Sequence, residues 1–495
     1  MTISELESKL SNARINELNT DVQLFGYDRA EVDIGIVHFG PGAFHRAHQA
    51  VYTDAVLKRG ERQWGICAVS INSADVRDTL AIQDNLYTLA ILDRQPSHQI
   101  IGSIKEILVA TENPALVIAR LAQDTIKAVT LTITEKGYCL TPEGGLDFNN
   151  CNIEHDISHL DSPRSAIGYL VAGLHARWIK DASPFTVLSC DNLTDNGKRL
   201  RRAVTEFAQK IDGDFSKWVE SSVKFPCSMV DSITPATNDV VRGAVSAAIG
   251  LQDAWPIQRE RFTQWVIEDL DGMQLPPWQD VGVTFSKDVR GYEATKLRIL
   301  NGLHTSLAFV GILAGIDNVR HATLHPKIRH FIEAELRNEI IPTLSSVDGL
   351  NSVEYGASIL TRFENPAIHH LLSQIAWDSS QKIPFRILGT ISDNLASGKR
   401  SPRLCFVIAA WMKFICYKVR NASPITDAWS EELTKIGEAC DGSASDVQMF
   451  LGLKNMFSVA LRNDKAFIED ITYSYLLIGD KEGSAFTALL PTFDR

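Results

Sequence analysis

The sequence predicts an α/β protein whose first part is a parallel sheet flanked by helices and whose last part is mostly α-helical. Three observations predict this. At 495 residues the chain is too long for one hydrophobic core, so two domains are the starting expectation. Up to about residue 290, short β-branched apolar runs alternate with helical segments, the pattern of a parallel sheet with helices on both faces. Beyond that point amphipathic helices follow one another and strand-like runs become scarce. The boundary falls near Val281–Gly291, dividing residues 1–285 from 286–495, and no internal repeat is present.

Ile34–Phe39 is a compact β-branched run ending at Gly-x-Gly, suited to a buried parallel strand that feeds a helix over His45–Lys58. Trp64–Ile71 (WGICAVSI) repeats the strand pattern and leads into a second helical stretch. Ala128–Thr134 (AVTLTIT) and Phe185–Ser189 (FTVLS) are two more short strands, with helical segments at Leu116–Leu121 and Gly197–Ile211. In the second part, Ala294–Ala314, Lys327–Glu339, Val353–Thr361, Ala367–Trp377 and Arg403–Val419 read as amphipathic helices. A catalytic cleft between the two domains is the default expectation.

Bulk properties remove several function classes. The formal net charge of −11 and a pI near 5.7 argue against nucleic acid or an anionic membrane as partner. One local Arg/Lys pocket is still enough to bind an anionic small molecule. The longest purely apolar run, around Phe406–Met412, is far below the ~20 residues of a membrane span. The first residues, MTISELESKLSNARINEL, mix acids and bases without an apolar core and do not read as a secretory signal. Eight scattered cysteines without a CxxC read as reduced, mostly buried thiols. The expectation is a soluble cytoplasmic protein.

The stretch IVHFGPGAFHRAHQ, from Ile36, admits three readings. Gly40 allows a tight turn out of the strand, and Gly42 lets a phosphate approach the backbone at the start of the next helix. The same Gly-x-Gly also serves an ordinary structural turn. A metal site of His38, His45 and His48 lacks a carboxylate or cysteine spaced to complete it, and His321/His325 and His369/His370 share that defect. Surface or structural histidines are expected at all these places, and no metal. After the second strand, NSADVRD offers Asp75, either as the ribose-binding acid that favours NAD or as a solvated helix N-cap, with Arg77 nearby.

The most informative segment is YEATKLRILNGLH, Tyr292–His304. On an ideal helix Asn301 lies about 140° and His304 about 80° from Lys296, so the three polar groups share one side. Leu297, Leu300, Leu303 and Leu307 occupy the other side, and SLAFVGILAG follows. A solvent-facing polar stripe is one reading. The apolar surroundings favour partial burial, which lets a lysine lose its proton more readily and act as a general base. An asparagine amide beside it stabilises developing alkoxide charge. Asn192, just after FTVLS at the carboxyl edge of the sheet, is a second such donor. These residues suggest metal-free hydride transfer from a secondary alcohol.

The ordered set GPGAFHRAHQ, WGIC, LTITEKGY, FTVLSCDNL, MVDSITP, QWVIED and KxxxxNxxH resembles the mannitol dehydrogenase family, the polyol-specific long-chain dehydrogenases, from about residue 30 to 420. The resemblance implies an N-terminal Rossmann-type domain, a mostly helical C-terminal domain, NAD as cofactor, no zinc, and a monomer. It makes Lys296 the general base, Asn192 and Asn301 the alkoxide-stabilising amides, and His304 the substrate hydrogen-bond partner that orients the reacting oxygen. Asp231 and Glu293 line the site, Glu293 on a proton path, and Gly40, Pro41, Gly42, Ala43 and Phe44 match the cofactor loop. The chain departs from mannitol-type members at Ala74-Asp75, where they carry two adjacent acids, and at Ser232. It also departs at Gln374, where they carry arginine, and at Arg386, where they carry an apolar residue.

Lys382 and Arg386 offer the cation that a carboxylate needs, although Arg386 also reads as an exposed helix residue. The implied reaction is D-fructuronate with NADH giving D-mannonate, with the D-mannitol/D-fructose pair as the alternative. A non-catalytic NAD-binding redox sensor is the competing class, and the Lys296, Asn192, Asn301 and His304 set argues against it.

Overall fold

The computed structural model describes residues 8–93 and 95–493. The chain divides into two compact units, Met1–Val289 and Arg290–Arg495.

Eleven strands occur among the described residues of the first unit. They are β1 (Ile34–Phe39), β2 (Gly65–Ser70), β3 (Tyr87–Leu92), β4 (Ser97–Ile101), β5 (Ile104–Val109) and β6 (Ala128–Leu131). The rest are β7 (Thr186–Ser189), β8 (Ser228–Asp231), β9 (Ile257–Glu260), β10 (Gln264–Glu268) and β11 (Thr284–Ser286). The main sheet runs β5-β2-β1-β6-β7, with every pair parallel. That order reverses direction beside β1, so the carboxyl ends of β1 and β6 form the switch point where such sheets bind ligands.

Both faces of this sheet are buried, which explains strands that read as nearly continuous apolar runs. Ile36, Ile66, Ala68, Ala128 and Leu188 enter one core. Val37, Phe39, Cys67, Val69, Val129 and Val187 enter the other. β5 (IKEILV) lies at the sheet's edge, and its two charged residues hide it from a search for apolar runs. Two three-stranded sheets, β4-β3-β9 and β11-β10-β8, complete the unit.

The helix expected over His45–Lys58 forms as two pieces, Ala43–Ala47 and Gln49–Lys58. The break is at His48 (φ −122°, ψ −89°), whose Nε2 bonds the Gln264 carbonyl at 3.0 Å and whose ring packs on Trp265. Tertiary contact at His48 thus overrides local propensity.

In the second unit the described residues form helices, and the only β-type pairings among them are isolated bridges. The buried Gly302–Leu313 and Pro402–Arg420 helices pack on each other at the centre, and Lys465–Ile478 packs against the latter. The expected Ala367–Trp377 helix is confined to Leu372–Ile375. Its first half is instead a turn and irregular segment ending in a bridge at Leu371, where the amides of Val319 and Leu372 bond the carbonyls of His370 and Asp317. The expected Ala294–Ala314 helix is continuous but contains a π-helical turn, Leu297–Asn301, between Val289–Lys296 and Gly302–Leu313. Two more π-turns, Leu336–Ile340 and Pro384–Leu388, pack against it. Gly302 permits the approach of the last: a Cβ there would lie 3.2 Å from the Arg386 carbonyl oxygen.

No helix among the described residues is long and apolar enough to cross a membrane. Six of the eight cysteines are buried, and all eight are free thiols.

Candidate active site

Gly40 closes the turn after β1 with φ +91°, a left-handed conformation that only glycine adopts without strain. It also packs against the turn after β6: a Cβ on it would lie 2.1 Å from the Thr132 carbonyl oxygen. The Thr132 hydroxyl donates back to the Gly40 carbonyl at 2.7 Å. Gly42 is exposed at the start of the Ala43–Ala47 helix, and a Cβ there would meet nothing nearer than 3.9 Å. The surface above it is therefore open to a ligand, with no side chain in the way. Pro41 is buried, Ala43 and Phe44 are half-buried, and the Phe44 ring stacks on His48 at 5.0 Å.

The His-Arg-Ala-His run is a buried scaffold beneath this turn. His38 and His45 stack at 3.4 Å; Gln49 joins His45 to Thr130, and His38 bonds Thr130 and Thr132. Burial pushes His38 down to about 3, so the ring is neutral and structural at pH 7. Arg46 donates to the Trp255 carbonyl and lies over the Trp255 ring at 4.7 Å.

Asp75 is exposed at the first position of the Asp75–Ala81 helix. Arg77 is held by Asp78 and Glu112, so its charge is matched locally while Asp75 has no ion-pair partner among the described residues. A cleft of about 370 Å³, lined in part by Ile71, Asn72, Thr111 and Tyr169, opens at the carboxyl ends of β2 and β5.

Asn192 is exposed three residues past the end of β7. Its neighbour Asp191 fixes the local backbone by accepting from the amides of Ile133 (2.9 Å) and Thr134 (3.2 Å) and from the Tyr138 hydroxyl (2.7 Å). That clamp holds Thr134 at φ +63°, a strained setting for a β-branched residue. Neither the clamp nor the strained turn was visible in the spacing of LTITEKGY. Asp231 is buried at the end of β8, opposite Gln264.

In the second unit Glu293, Lys296, Asn301 and His304 follow one another along one helical run. The α-helical angle of about 140° between Lys296 and Asn301 does not apply, because a π-turn intervenes. In a π-turn the hydrogen bond spans five residues, as from the Gly302 amide to the Leu297 carbonyl. With this wider turn, residues five apart lie closer in angle than on an α-helix, and Asn301 is brought toward the side of Lys296. Glu293 and Lys296 are half-buried. The Asn301 side-chain amide makes no hydrogen bond among the described residues.

His304 is buried, and its Nε2 has no hydrogen-bond partner among the described residues. Its ring stacks on Phe363 at 4.4 Å, and burial first, then the charges of His370, Arg386 and Arg362, push its pKa well down. Arg386 reaches the Thr305 hydroxyl at 3.4 Å and has no carboxylate within ion-pair distance among the described residues. Burial pulls its guanidinium down to about 10, which leaves it charged at pH 7. Lys382, by contrast, donates to the Trp377 and Ile375 carbonyls at 2.5 and 3.4 Å. The histidine pair 369/370, expected to be surface or structural, divides: His369 is exposed, while His370 sets its ring edge-on to His304 at 5.1 Å.

A glycine cradle at a sheet's switch point and a lysine–asparagine–histidine line define an α/β oxidoreductase. The family models for the mannitol dehydrogenase Rossmann domain and C-terminal domain match residues 34–279 and 288–478. The mannitol 2-dehydrogenase of Aspergillus fumigatus is 38% identical over 464 residues, 91% of this chain and 92% of its own. The D-mannonate oxidoreductase of Escherichia coli is 37% identical over 473 residues, 93% and 96%. A Pseudomonas fluorescens mannitol 2-dehydrogenase, solved as a ternary complex with NAD and D-mannitol, superposes with a TM-score of 0.81 at 35% identity. That match covers 98% of this chain and 99% of that one. The chain belongs to the mannitol dehydrogenase family.

Proposed function

We propose that this oxidoreductase interconverts a ketohexuronate and its hexonate, D-fructuronate and D-mannonate, with NAD as cofactor. The observation that carries this reading is Arg386, a half-buried guanidinium beside His304 with a hydroxyl as partner and no carboxylate. A half-buried cation without a counterion is poorly compensated, and a substrate carboxylate would supply the missing charge through a bidentate pair. D-Fructose and D-mannitol carry no such group.

The cradle at Gly40 and the bare surface at Gly42 fit a dinucleotide pyrophosphate, and Asp75 with a neutralised Arg77 fits an unphosphorylated ribose. NAD supplies the hydride acceptor, or in its reduced form the donor, for the reacting carbon. Lys296 takes the proton from the substrate hydroxyl in oxidation and returns it in reduction, with Glu293, one helical turn away, passing it toward water. The Asn192 and Asn301 amides donate to the oxygen as alkoxide charge grows. The His304 imidazole, neutral by burial, orients that oxygen, and Asp231 accepts from a substrate hydroxyl. The lysine takes the base's role without a metal. Arg386 binds the carboxylate, and Lys382 adds positive potential behind it.

The test is NADH oxidation measured in parallel with D-fructuronate and D-fructose. Higher kcat/KM on the uronate is expected, and activity on fructose alone would falsify the reading.

A further inference from the structure

His370 lies in the loop between the Ser352–Phe363 and Leu372–Ile375 helices, and the chemistry above gives it no task. Its ring stands edge-on to His304, centroids 5.1 Å apart and planes at 79°, while Phe363 covers a face of His304 at 4.4 Å and 29°. His304 Nε2 and His370 Nδ1 are both buried without a hydrogen-bond partner among the described residues. A buried polar nitrogen left unpaired is costly, and native folds keep few of them. Neither ring nitrogen of His304 is hydrogen-bonded among the described residues, so packing against these two rings sets its orientation.

Arg386 and Arg362 face His304, and Lys382 faces His370. Glu335, on the Pro326–Glu335 helix, is engaged with Ser306 at 2.7 Å.

We propose that His370 is a positioning residue for His304: it closes one side of the imidazole against water and fixes the direction in which that ring meets the substrate. This rests on the reading that His304 touches the reacting oxygen. Without the His370 ring, water reaches His304, and its pKa climbs toward the ordinary histidine value of about 6.5. A positioning loss acts in the transition state and so falls on kcat more than on KM.

Three variants test this: His304→Ala, His370→Ala and His370→Phe. Each is measured for kcat, KM and the pH profile of kcat/KM with whichever ketose the wild type reduces faster. Thermal unfolding and NADH binding serve as controls. Undiminished turnover in His304→Ala removes the underlying reading, and the assignment of His370 goes with it. If His304→Ala is impaired, His370→Ala is expected to lose roughly ten- to a hundredfold in kcat with little change in KM. Its acid limb moves up toward pH 6.5, and His370→Phe, which restores an edge-on wall, brings back the limb and most of kcat. An acid limb in His370→Ala that coincides with wild type overturns the proposal, as does a folded Phe variant that behaves like the Ala variant.

Discussion

On the proposed reading, Lys296 and Arg386 divide the work at the level of single residues. Lys296 is half-buried three residues past Glu293 and at the edge of the π-turn that brings Asn301 toward it. General-base catalysis is worth about 10²–10⁴ in rate, so Lys296→Ala is expected to lose at least that in kcat while NADH binding by fluorescence titration stays near wild type. Near-normal turnover in that variant would take the proton-transfer role away from the lysine. The polar line Lys296, Asn301, His304 was legible because helical spacing is written in the sequence. Its true geometry was not, because a π-turn is a tertiary compromise with the neighbouring Pro384–Leu388 segment. His370 was illegible for a similar reason: its partner, His304, is distant in sequence, and the loop between helices that holds it reads as part of a helix.

Secondary-structure elements divide by how much of their stabilisation is local. β1, β2, β6 and β7 are buried on both faces and announce themselves as apolar runs. β5, β8 and β10 carry charges at edges or ends and do not. The three π-turns among the described residues carry no composition signal, and the one at Leu336–Ile340 follows one buried carboxyl, Glu335, and contains another, Glu339. Burial pushes Glu335 up to about 8, against which its bond from Ser306 works, and Glu339 up to about 7 despite the Leu404 and Arg403 amides. A carboxyl whose folded pKa is raised contributes stability that is complete below its unfolded value of about 4.3 and lost as pH rises through the folded value. Between pH 5 and 8.5 the wild type therefore loses up to about 1.4 kcal/mol per pH unit at Glu335, and an uncharged Glu335→Gln side chain does not. Denaturant unfolding at the two pH values is expected to show Glu335→Gln gaining on wild type at pH 8.5 relative to pH 5. A difference between the proteins that is independent of pH would show that Glu335 does not titrate in this range.

At the scale of the whole molecule, an acidic chain with net charge −11 carries a local set of Arg386, Arg362, Lys382 and two imidazoles around one helix start. The overall charge disfavours anions, and on the proposed reading Arg386, with no carboxylate within ion-pair distance among the described residues, binds one locally. The family was readable from motifs spread over most of the chain. The substrate was not, since relatives 37–38% identical over most of the chain include both a mannitol 2-dehydrogenase and a D-mannonate oxidoreductase. The proposed reading separates them by one side chain's lack of a carboxylate partner among the described residues, which only the folded structure displays. The most direct measurement is the ratio of kcat/KM for D-fructuronate to that for D-fructose, in wild type and in Arg386→Leu. The wild-type ratio should exceed one and fall roughly a hundredfold in the variant, with fructose little changed, as expected for losing a charge-assisted pair worth about 1.5–3 kcal/mol. A ratio below one in wild type, or an equal loss on both ketoses, would contradict a carboxylate at Arg386.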